Sequence, residues 1–237
     1  MSYLDLISFG PDGWAKLLLA ATAVTLSVAL GGFLLGSIFG TLVAWSRLSR
    51  NRALRLAGTT YTTVFRGVPD LLVIYLLYFG GSAALTAIGK TLGAGGFVGM
   101  PTYLTGVLAI GILSAAYQAE VFRGAFLAVA PGELEAGRAV GMSGLLLFRR
   151  IIAPQVLRYA LPGLGNTWQL ALKETSLISV VGLIELVRQA QIAAGSTRRP
   201  FEFFITAAAL YLCITFFSSL LFRQAERHSA RKMGAAL

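Results

Sequence analysis

Six charged side chains interrupt otherwise apolar stretches of this 237-residue sequence, and they form three close pairs: Arg66 with Asp70, Glu120 with Arg123, and Lys173 with Glu174. An ionisable side chain inside an apolar run is costly to bury unless it is paired or hydrated, so each one is a candidate for function. The members of the first two pairs are four and three residues apart, which places them on one helix face. The adjacent members of the third pair point about 100° apart on a helix.

Two interpretations of these charges remain open. Cations and anions together could line a polar path for a zwitterionic solute, whose carboxylate needs a cation and whose ammonium group needs an anion. The same side chains could instead be clamps that hold a helix bundle together. Neither interpretation is preferred for the first and third pairs, the path candidates Arg66, Asp70, Lys173 and Glu174. The clamp is favoured for Glu120 and Arg123, which lie at the end of an apolar stretch.

The composition indicates which kind of element must position these side chains. Hydrophobic residues make up 56% of the chain and charged residues 13%, with a mean hydropathy of +0.74. A soluble domain carries about 25% charged residues, and the 15 phenylalanines exclude a disordered chain. The single residues Cys213 and His228 exclude a disulfide framework and a multi-histidine metal centre. The composition therefore predicts an all-α integral membrane protein without a metal site.

Five sparsely charged stretches are long enough to cross a bilayer as helices, and they comprise residues 17–44, 56–80, 103–126, 159–184 and 203–222. The first is longer than the apolar region of a signal peptide and follows no basic segment, so it is predicted to be a retained span. Arg66, Pro69 and Asp70 interrupt the second, and Pro69 would free the Phe65 carbonyl from its helical hydrogen bond. Residues 80–99 are rich in glycine and alanine and are predicted to form a loop.

Three glycines recur at every fourth position of the first span, at Gly32, Gly36 and Gly40. This spacing of small residues allows another helix to approach closely. The pattern has a second interpretation that is equally open, because glycine is also tolerated in membrane helices without any packing role.

The distribution of basic residues predicts the orientation of the five spans. Thirteen of the 20 Lys and Arg residues fall in segments 47–55 and 123–158 and in the C-terminal tail, against five in the alternate segments. Because cytoplasmic loops carry the excess of basic residues, the N-terminus is predicted outside and the C-terminus inside. Topology thus accounts for most of the net charge of +10. No basic stretch is interleaved with stacking aromatic side chains, so nucleic acid is not expected as a partner.

The segment between the third and fourth spans, about residues 131–154, is too polar to cross the membrane. Its pattern predicts a short amphipathic helix from about Gly132, a turn at Gly141–Gly144 and a break at Pro154. A short helix that is rigidly joined to two spans suits the docking of a soluble partner. An ordinary solvated surface helix is the alternative that remains open.

This loop resembles the signature loop of ATP-binding-cassette importer permeases, which it matches at Glu135, Ala136, Gly141, Ile151 and Pro154. It departs at Gly137, where alanine is usual, and at Ala153, where leucine is usual; Gly137 is expected to weaken the helix by about 1 kcal/mol. Further motifs are similar to the polar amino-acid uptake branch of that family: residues 65–69, 119–124, 161–166 and 172–177. The sequence of residues 66–81 resembles that of family members that carry basic amino acids, such as histidine and arginine, or the opines octopine and nopaline.

The resemblance covers residues 17–225 and implies a type I importer permease fold, with five transmembrane helices and a cytoplasmic coupling helix between spans three and four. It implies a multi-pass protein of the bacterial inner membrane. Residues 1–16 would form a short periplasmic segment and residues 226–237 a basic cytoplasmic tail.

The resemblance also implies partners: a second permease chain or a second copy, two cytoplasmic ATPase subunits, a periplasmic substrate-binding protein and membrane lipid. The chain itself is expected to be no enzyme and to bind no cofactor, with ATP and Mg on the ATPase subunits. Closure of the ATPase pair on ATP would switch the spans from inward-open to outward-open. The residues expected to transmit this movement are Glu135, Ala136, Gly137, Gly141, Ile151 and Pro154.

Two functions other than that of an ATP-driven importer are compatible with parts of the sequence. A carrier driven by an ion gradient could use the same buried charges without any ATPase. A membrane enzyme is disfavoured because the chain has no cluster of His, Cys or Asp. Residues 84–91 come close to a phosphate-binding P-loop, but an apolar stretch precedes them and glycine-rich sequence follows, so they are not expected to bind nucleotide.

Overall fold

The computed structural model describes residues 3–11, 13–93 and 95–234, and the regular secondary structure of this part is helical, without a β-strand. The α-helices are α1 (Tyr3–Leu6), α2 (Ala15–Leu48), α3 (Arg52–Gly67), α4 (Asp70–Tyr75), α5 (Gly81–Thr91), α6 (Thr102–Leu127), α7 (Pro131–Ala139), α8 (Gly144–Leu147), α9 (Ala153–Glu174), α10 (Leu186–Thr197) and α11 (Pro200–Gly234). Outside the described part lie residues 1, 2 and 12 of the predicted periplasmic segment, 94 of the predicted loop and 235–237 of the predicted tail.

Within the described residues, four helical stretches are long and apolar enough to cross a membrane: Ala15–Leu48, Asp70–Thr91, Thr102–Leu127 and Pro200–Ser229. The helices predicted over the first, third and fifth sparsely charged stretches are confirmed, with each helix extending somewhat beyond its predicted ends. The exposed side chains along them are largely apolar, as in Leu34, Ile38 and Leu212. Such an exterior suits lipid rather than water.

The second predicted span, residues 56–80, is wrong in its bounds. Helix α3 ends at Gly67, and Val68 is extended because it precedes Pro69, whose ring disfavours the helical conformation in the residue before it. A new helical stretch begins at Asp70 and continues through a π-helical segment, Leu76–Gly80, into α5. The apolar crossing stretch is therefore Asp70–Thr91.

The loop predicted over residues 80–99 is also wrong over Gly81–Thr91, which is helical. Glycine breaks helices in water because it exposes the backbone and because it loses more conformational freedom than other residues. In a bilayer the unfolded alternative leaves backbone groups without partners, so a glycine-rich apolar stretch remains helical.

The fourth predicted span, residues 159–184, is occupied by α9 and by a 3₁₀-helical segment, Thr175–Val181. This stretch does not join the four apolar ones, because α9 carries many polar side chains, among them Gln155, Arg158 and Asn166. The predicted break at Pro154 is wrong as well. The chain remains helical from α8 through a π-helical segment, in which the Ala153 N–H donates to the Phe148 carbonyl oxygen five residues back, into α9. Pro154 follows directly on this change of hydrogen-bond register, where its missing N–H is tolerated.

Helices α2 and α6 form the centre of the fold, and they run in the same direction, because successive glycines of α2 meet successive residues of α6. A Cβ atom on Gly32 would lie 2.5 Å from Ile110 Cγ2, and one on Gly40 would lie 3.0 Å from the Ala115 carbonyl oxygen. The recurring glycines therefore permit the close approach, which decides between the two interpretations of that pattern. Gln118 strengthens the contact from its buried position: it donates to the Phe33 carbonyl oxygen at 3.0 Å and accepts from Ser37 Oγ at 2.7 Å.

Candidate functional site

Glu120 lies in α6 at the centre of a cluster of three arginines, which we call the Glu120 cluster. Arg47 from the end of α2 donates to Glu120 Oε1, and Arg66 Nη1 from α3 lies 3.5 Å from the same oxygen. Arg123 Nη2 lies 3.1 Å from Glu120 Oε2, one helical turn away. The contact predicted between Glu120 and Arg123 on one helix face is thus present. The cluster joins three helices and holds two more positive than negative charges.

The pairing predicted between Arg66 and Asp70 on one helix face is wrong. The extended Val68 and the start of a new helix at Asp70 interrupt the helical spacing that the prediction assumed. Arg66 instead lies across from Glu120, with its guanidinium carbon 5.5 Å from the centre of the Tyr117 ring. This distance is within the range of a cation–π interaction.

Asp70 and Glu174 form, together with Tyr117, a second group that we call the acidic centre. Glu174 is 4% exposed at the end of α9, and neither of its carboxylate oxygens has a hydrogen-bond partner. Asp70 opens α4 and lies close enough to Glu174 for the two carboxylates to interact electrostatically; both also act on Tyr117. A buried carboxylate without a donor is rare, because an unpaired buried charge is strongly destabilising.

The remaining path candidate, Lys173, is not brought together with these groups. Its side chain is exposed, whereas the adjacent Glu174 is buried. The two side chains therefore diverge as their adjacency on a helix predicts. The structure thus places Arg66, Asp70 and Glu174 around Tyr117 and leaves Lys173 outside this group.

Two further polar residues, Tyr117 and Glu185, lie on the elements that form the site, and the sequence analysis missed both. Tyr117 precedes Glu120 by three residues on α6, and this helical spacing is the signal that could have found it. Glu185 has no such signal. It is fully buried at the start of α10, where its carboxylate accepts hydrogen bonds from the backbone N–H groups of Val187 and Arg188 and from Tyr211 Oη.

Glu185 connects the 3₁₀-helical segment after Glu174 to α10 and α11 through hydrogen bonds. Tyr211 Oη, which donates to Glu185 at 3.3 Å, lies 3.2 Å from Thr175 Oγ1 in the residue after Glu174. Burial raises the pKa of the Glu185 carboxyl, and the two backbone hydrogen bonds oppose that effect by favouring the charged form. The network connects α11, α10 and the 3₁₀-helical segment that follows the acidic centre.

The predicted amphipathic helix of the loop is present as α7, which begins with Pro131 in its first turn. Glu135 and Ala136 are exposed, whereas Gly137 is buried, and a Cβ atom there would lie 2.5 Å from Leu147 Cδ1 and 2.9 Å from Ile151 Cδ1. Alanine would crowd this contact, which explains why glycine suits the position despite its weak helix propensity. The exposed face of α7 is free to meet a partner, and its buried face is fixed against the next helix.

Gly141 ends α7 in the left-handed conformation, with φ of +77°. The Met142 N–H donates to the Gly137 carbonyl oxygen at 3.0 Å, which is the pattern of a Schellman ending. Ser143 then caps α8 by accepting a hydrogen bond from the Leu146 N–H. The turn predicted at Gly141–Gly144 is thus formed, and it requires a residue that tolerates positive φ.

Other sites suggested by residue type receive no support from the described residues. The P-loop-like residues 84–91 lie wholly within α5 and so cannot wrap a phosphate. Among the residues that the structure describes, no group of three or more His, Cys, Asp or Glu side chains is arranged to hold a metal ion.

Comparison with known proteins identifies the family of this chain. Residues 32–231 match the model of the family described as binding-protein-dependent transport system inner membrane component. The chain is 58% identical over 231 residues to the octopine transport system permease protein OccQ of Rhizobium radiobacter, with 98% of each chain covered. It is 47% identical over 229 residues to the nopaline transport system permease protein NocQ of Agrobacterium fabrum, with 96% of this chain and 97% of that one covered.

A third relative, the histidine/lysine/arginine/ornithine permease HisQ of Escherichia coli, is 40% identical over 203 residues, covering 86% of this chain and 89% of that one. Among solved structures, an amino acid ABC transporter crystallised with histidines matches with a TM-score of 0.79 at 32% identity, over 96% of this chain and 99% of that chain. The MetNI methionine transporter shares the fold, with a TM-score of 0.68 at 18% identity over 91% and 97% of the two chains. The chain belongs to the family of inner-membrane permease components of binding-protein-dependent ABC transport systems.

Proposed function

We propose that this chain is the permease subunit of an ATP-driven importer that carries opines or basic amino acids. The relatives are named for transport of octopine, of nopaline, or of histidine, lysine, arginine and ornithine. The observation that carries the proposal is the acidic centre, where the buried carboxyl group of Glu174 has no hydrogen-bond partner and the carboxyl group of Asp70 lies nearby. A guanidinium or ammonium group of a substrate would supply the missing donors.

Within this path, the two ends of the substrate would meet groups of opposite charge. The cationic group would lie at Asp70 and Glu174. Arg66 is 45% exposed and only one of three arginines on Glu120, so it retains donors for the substrate carboxylate. Lys173 remains a path candidate only for a different stage of transport, since its exposed side chain diverges from Glu174.

The proposed architecture has five spans, with α9 as the span that is not apolar throughout. Its buried residues include Trp168, Ala171 and Leu172, and it packs against α6, α2 and α11. A helix enclosed in this way can carry polar side chains across a membrane, because protein rather than lipid surrounds them. With five spans, the bias of basic residues places the N-terminus outside and the C-terminus inside the bacterial inner membrane.

The proposed partners are a second permease chain, two cytoplasmic ATPase subunits and a periplasmic substrate-binding protein. Nucleotide chemistry would belong to the ATPase subunits, with ATP and Mg bound there and no cofactor on this chain. The exposed face of α7, with Glu135 and Ala136, would dock on an ATPase subunit. The buried Gly137 contact with Leu147 and Ile151 would pass the motion to α9, which ends at Glu174.

The test of this function is uptake by proteoliposomes that contain the permease pair, its ATPase subunits and the binding protein. We expect ATP-dependent uptake of radiolabelled octopine or arginine and little uptake of leucine, because an apolar side chain leaves Glu174 unpaired. Uptake that continues without the ATPase subunits and follows an imposed ion gradient would establish the alternative, a secondary carrier. ATP-dependent uptake of leucine at the same rate would exclude the proposed substrate class.

Gly141 and Gly144 provide a matched test of the coupling loop. A Cβ atom meets nothing within 4 Å at either glycine, but only Gly141 has positive φ. Gly141→Ala is therefore expected to disfavour this turn by about 1–2 kcal/mol, or about 5- to 30-fold in population. Gly144→Ala is expected to leave it intact.

The measurement for this pair is ATP hydrolysis by the assembled transporter, with and without loaded binding protein. Stimulation by the binding protein should fall several-fold for Gly141→Ala and remain at the parent level for Gly144→Ala. Equal stimulation in the two variants would show that the turn does not transmit motion to the ATPase subunits.

A further inference from the structure

An apolar groove of about 900 Å³ lies between the ends of α2 and α6 and the helical stretch 148–157. We call it the inner groove. Thr41 is the only polar residue in its lining, which includes Trp45, Phe126, Phe148 and Leu157. Several of these side chains are largely exposed, with Trp45 at 73% and Leu157 at 56%. The groove thus offers a hydrocarbon surface that is open along one side.

The segments that line the inner groove are strongly basic. Residues 41–52, 120–127 and 148–158 contain seven arginines, namely Arg47, Arg50, Arg52, Arg123, Arg149, Arg150 and Arg158, and a single acidic residue, Glu120. That carboxylate is already shared by three of the chain's arginines in the Glu120 cluster. Arg50, Arg52, Arg149 and Arg150 are exposed, and each lies within four residues along the chain of a residue that lines the groove. The surroundings therefore have a large excess of guanidinium groups.

An apolar groove with an arginine-rich rim fits one common class of membrane ligand. A phospholipid has an acyl chain that is complementary to the apolar lining and a phosphate that guanidinium groups bind with paired hydrogen bonds. A net negative headgroup would gain further from the excess positive charge. Trp45 at the groove is also typical of the boundary between hydrocarbon and headgroups.

We propose that the inner groove binds an anionic phospholipid, with an acyl chain against Trp45 and Phe126 and the phosphate on the arginines of the rim. The lipid would come from the cytoplasmic leaflet, because the proposed topology places the end of α2 on the cytoplasmic side. A bound lipid would fill the space between the ends of α2 and α6 and the start of α9. It would thereby stabilise the position of residues 148–157, where the coupling loop joins α9.

Photo-crosslinking in the assembled transporter tests this site. A photoreactive benzoylphenylalanine replaces Leu157 in the groove, and in a control chain it replaces Leu212, which is 70% exposed on α11 outside the groove. The vesicles contain equal amounts of phosphatidylglycerol and phosphatidylcholine, and mass spectrometry identifies the adducts. At position 157, phosphatidylglycerol adducts should exceed phosphatidylcholine adducts by about fivefold, the preference expected from one arginine near an anionic lipid surface; at position 212 the two should be equal.

The Arg149→Gln/Arg150→Gln double variant tests whether these arginines cause the preference for the anionic lipid. It should lower the preference for phosphatidylglycerol at position 157 without changing the total lipid adduct. Equal adducts of both lipids at position 157 would reduce the groove to ordinary lipid contact and overturn the proposal. Adducts to an ATPase subunit or to the second permease chain would also overturn it, because they would identify a protein as the occupant. Neither result would alter the uptake test of substrate class, so the two proposals fail independently.

Discussion

Glu174→Gln is expected to reduce uptake of a basic amino acid by about 10- to 100-fold, because it removes one of the two carboxyl groups of the acidic centre that would bind the substrate cation. A hydrogen bond to a charged group contributes about 1.5–3 kcal/mol, which sets this range. The free energy of unfolding of this variant should rise or remain unchanged. The carboxyl group of Glu174 has no hydrogen-bond partner to lose, so its replacement by an amide removes no existing contact.

Glu185→Gln is the matched control, since both residues are buried glutamates. Unlike Glu174, Glu185 accepts hydrogen bonds from two backbone N–H groups and from Tyr211 Oη, and an amide cannot replace all of them. This variant should lose about 1–2 kcal/mol of stability. Its uptake per folded transporter should remain close to that of the parent.

The two variants are therefore expected to show opposite patterns. Glu174→Gln should lower uptake without loss of thermal stability, and Glu185→Gln should lower thermal stability without loss of uptake per folded transporter. Uptake of labelled arginine is measured at saturating binding protein and normalised to the folded fraction. If Glu174→Gln lowers stability and leaves normalised uptake unchanged, Glu174 is a structural residue and the path proposal fails. Asp70→Asn completes the series, since it should alter the preference between basic and neutral amino acids while the fold persists.

The parts of the fold that could be predicted are those that depend on hydropathy over 20 or more residues. Helices α2, α6 and α11 are long and apolar, so their positions follow from the solvent that they must face. The recurring glycines of α2 indicated a packing face but not its partner. Only the structure identifies α6 as that partner, because the match depends on Ile110, Ser114 and Ala115 being opposite the glycines.

The errors in the predicted elements lie at prolines and glycines, whose effect depends on their position in a helix and on the surrounding solvent. Pro69 interrupts the second predicted span more completely than a kink would, and it separates Arg66 from Asp70. Gly81–Thr91 is helical although its composition resembles a loop. Pro154 lies in a first helical turn and ends nothing. Pro69 acts as its local preference predicts, the bilayer overrides the preference of the glycine-rich stretch, and Pro154 has no effect because it follows a π-helical segment.

The candidate site was predictable as a set of residues and not as an arrangement. Charges inside apolar stretches identified Arg66, Asp70, Glu120 and Glu174 because such charges are rare in any membrane helix. Their pairing depends on contacts between residues more than 50 positions apart, such as Arg66 with Glu120. Tyr117, which connects the acidic centre to the Glu120 cluster, was missed because a tyrosine in an apolar stretch is unremarkable by type.

Glu120→Ala is expected to destabilise the fold, because it removes the counter-charge of the Glu120 cluster. It would leave Arg47, Arg66 and Arg123 close together without a counter-charge, and Arg47 is the most buried of them, with its side chain 13% exposed. Removing one partner of a fully buried ion pair costs about 3 kcal/mol or more, and partial exposure of this cluster lowers the expected loss to about 2 kcal/mol. For a chain of this size, that corresponds to a fall of about 4–8 °C in the unfolding temperature.

Glu202→Ala is the control for this variant. Glu202 also pairs with an arginine, Arg199, but at 3.8 Å and on the surface, with side chains 32% and 40% exposed. Solvent screens such a pair, which contributes at most about 1 kcal/mol. The measurement is the unfolding temperature of the assembled transporter, and the fall should be at least twice as large for Glu120→Ala as for Glu202→Ala.

The double variant Glu120→Ala/Arg47→Met separates loss of the ion pairs from repulsion among the arginines. Methionine keeps much of the length of the arginine side chain while it removes the charge that is most buried. If repulsion and desolvation cause the loss, the double variant should recover a large part of the stability that Glu120→Ala loses. If it is instead less stable than Glu120→Ala, Arg47 has stabilising contacts independent of Glu120, and the cluster is not the three-helix clamp that its geometry indicates.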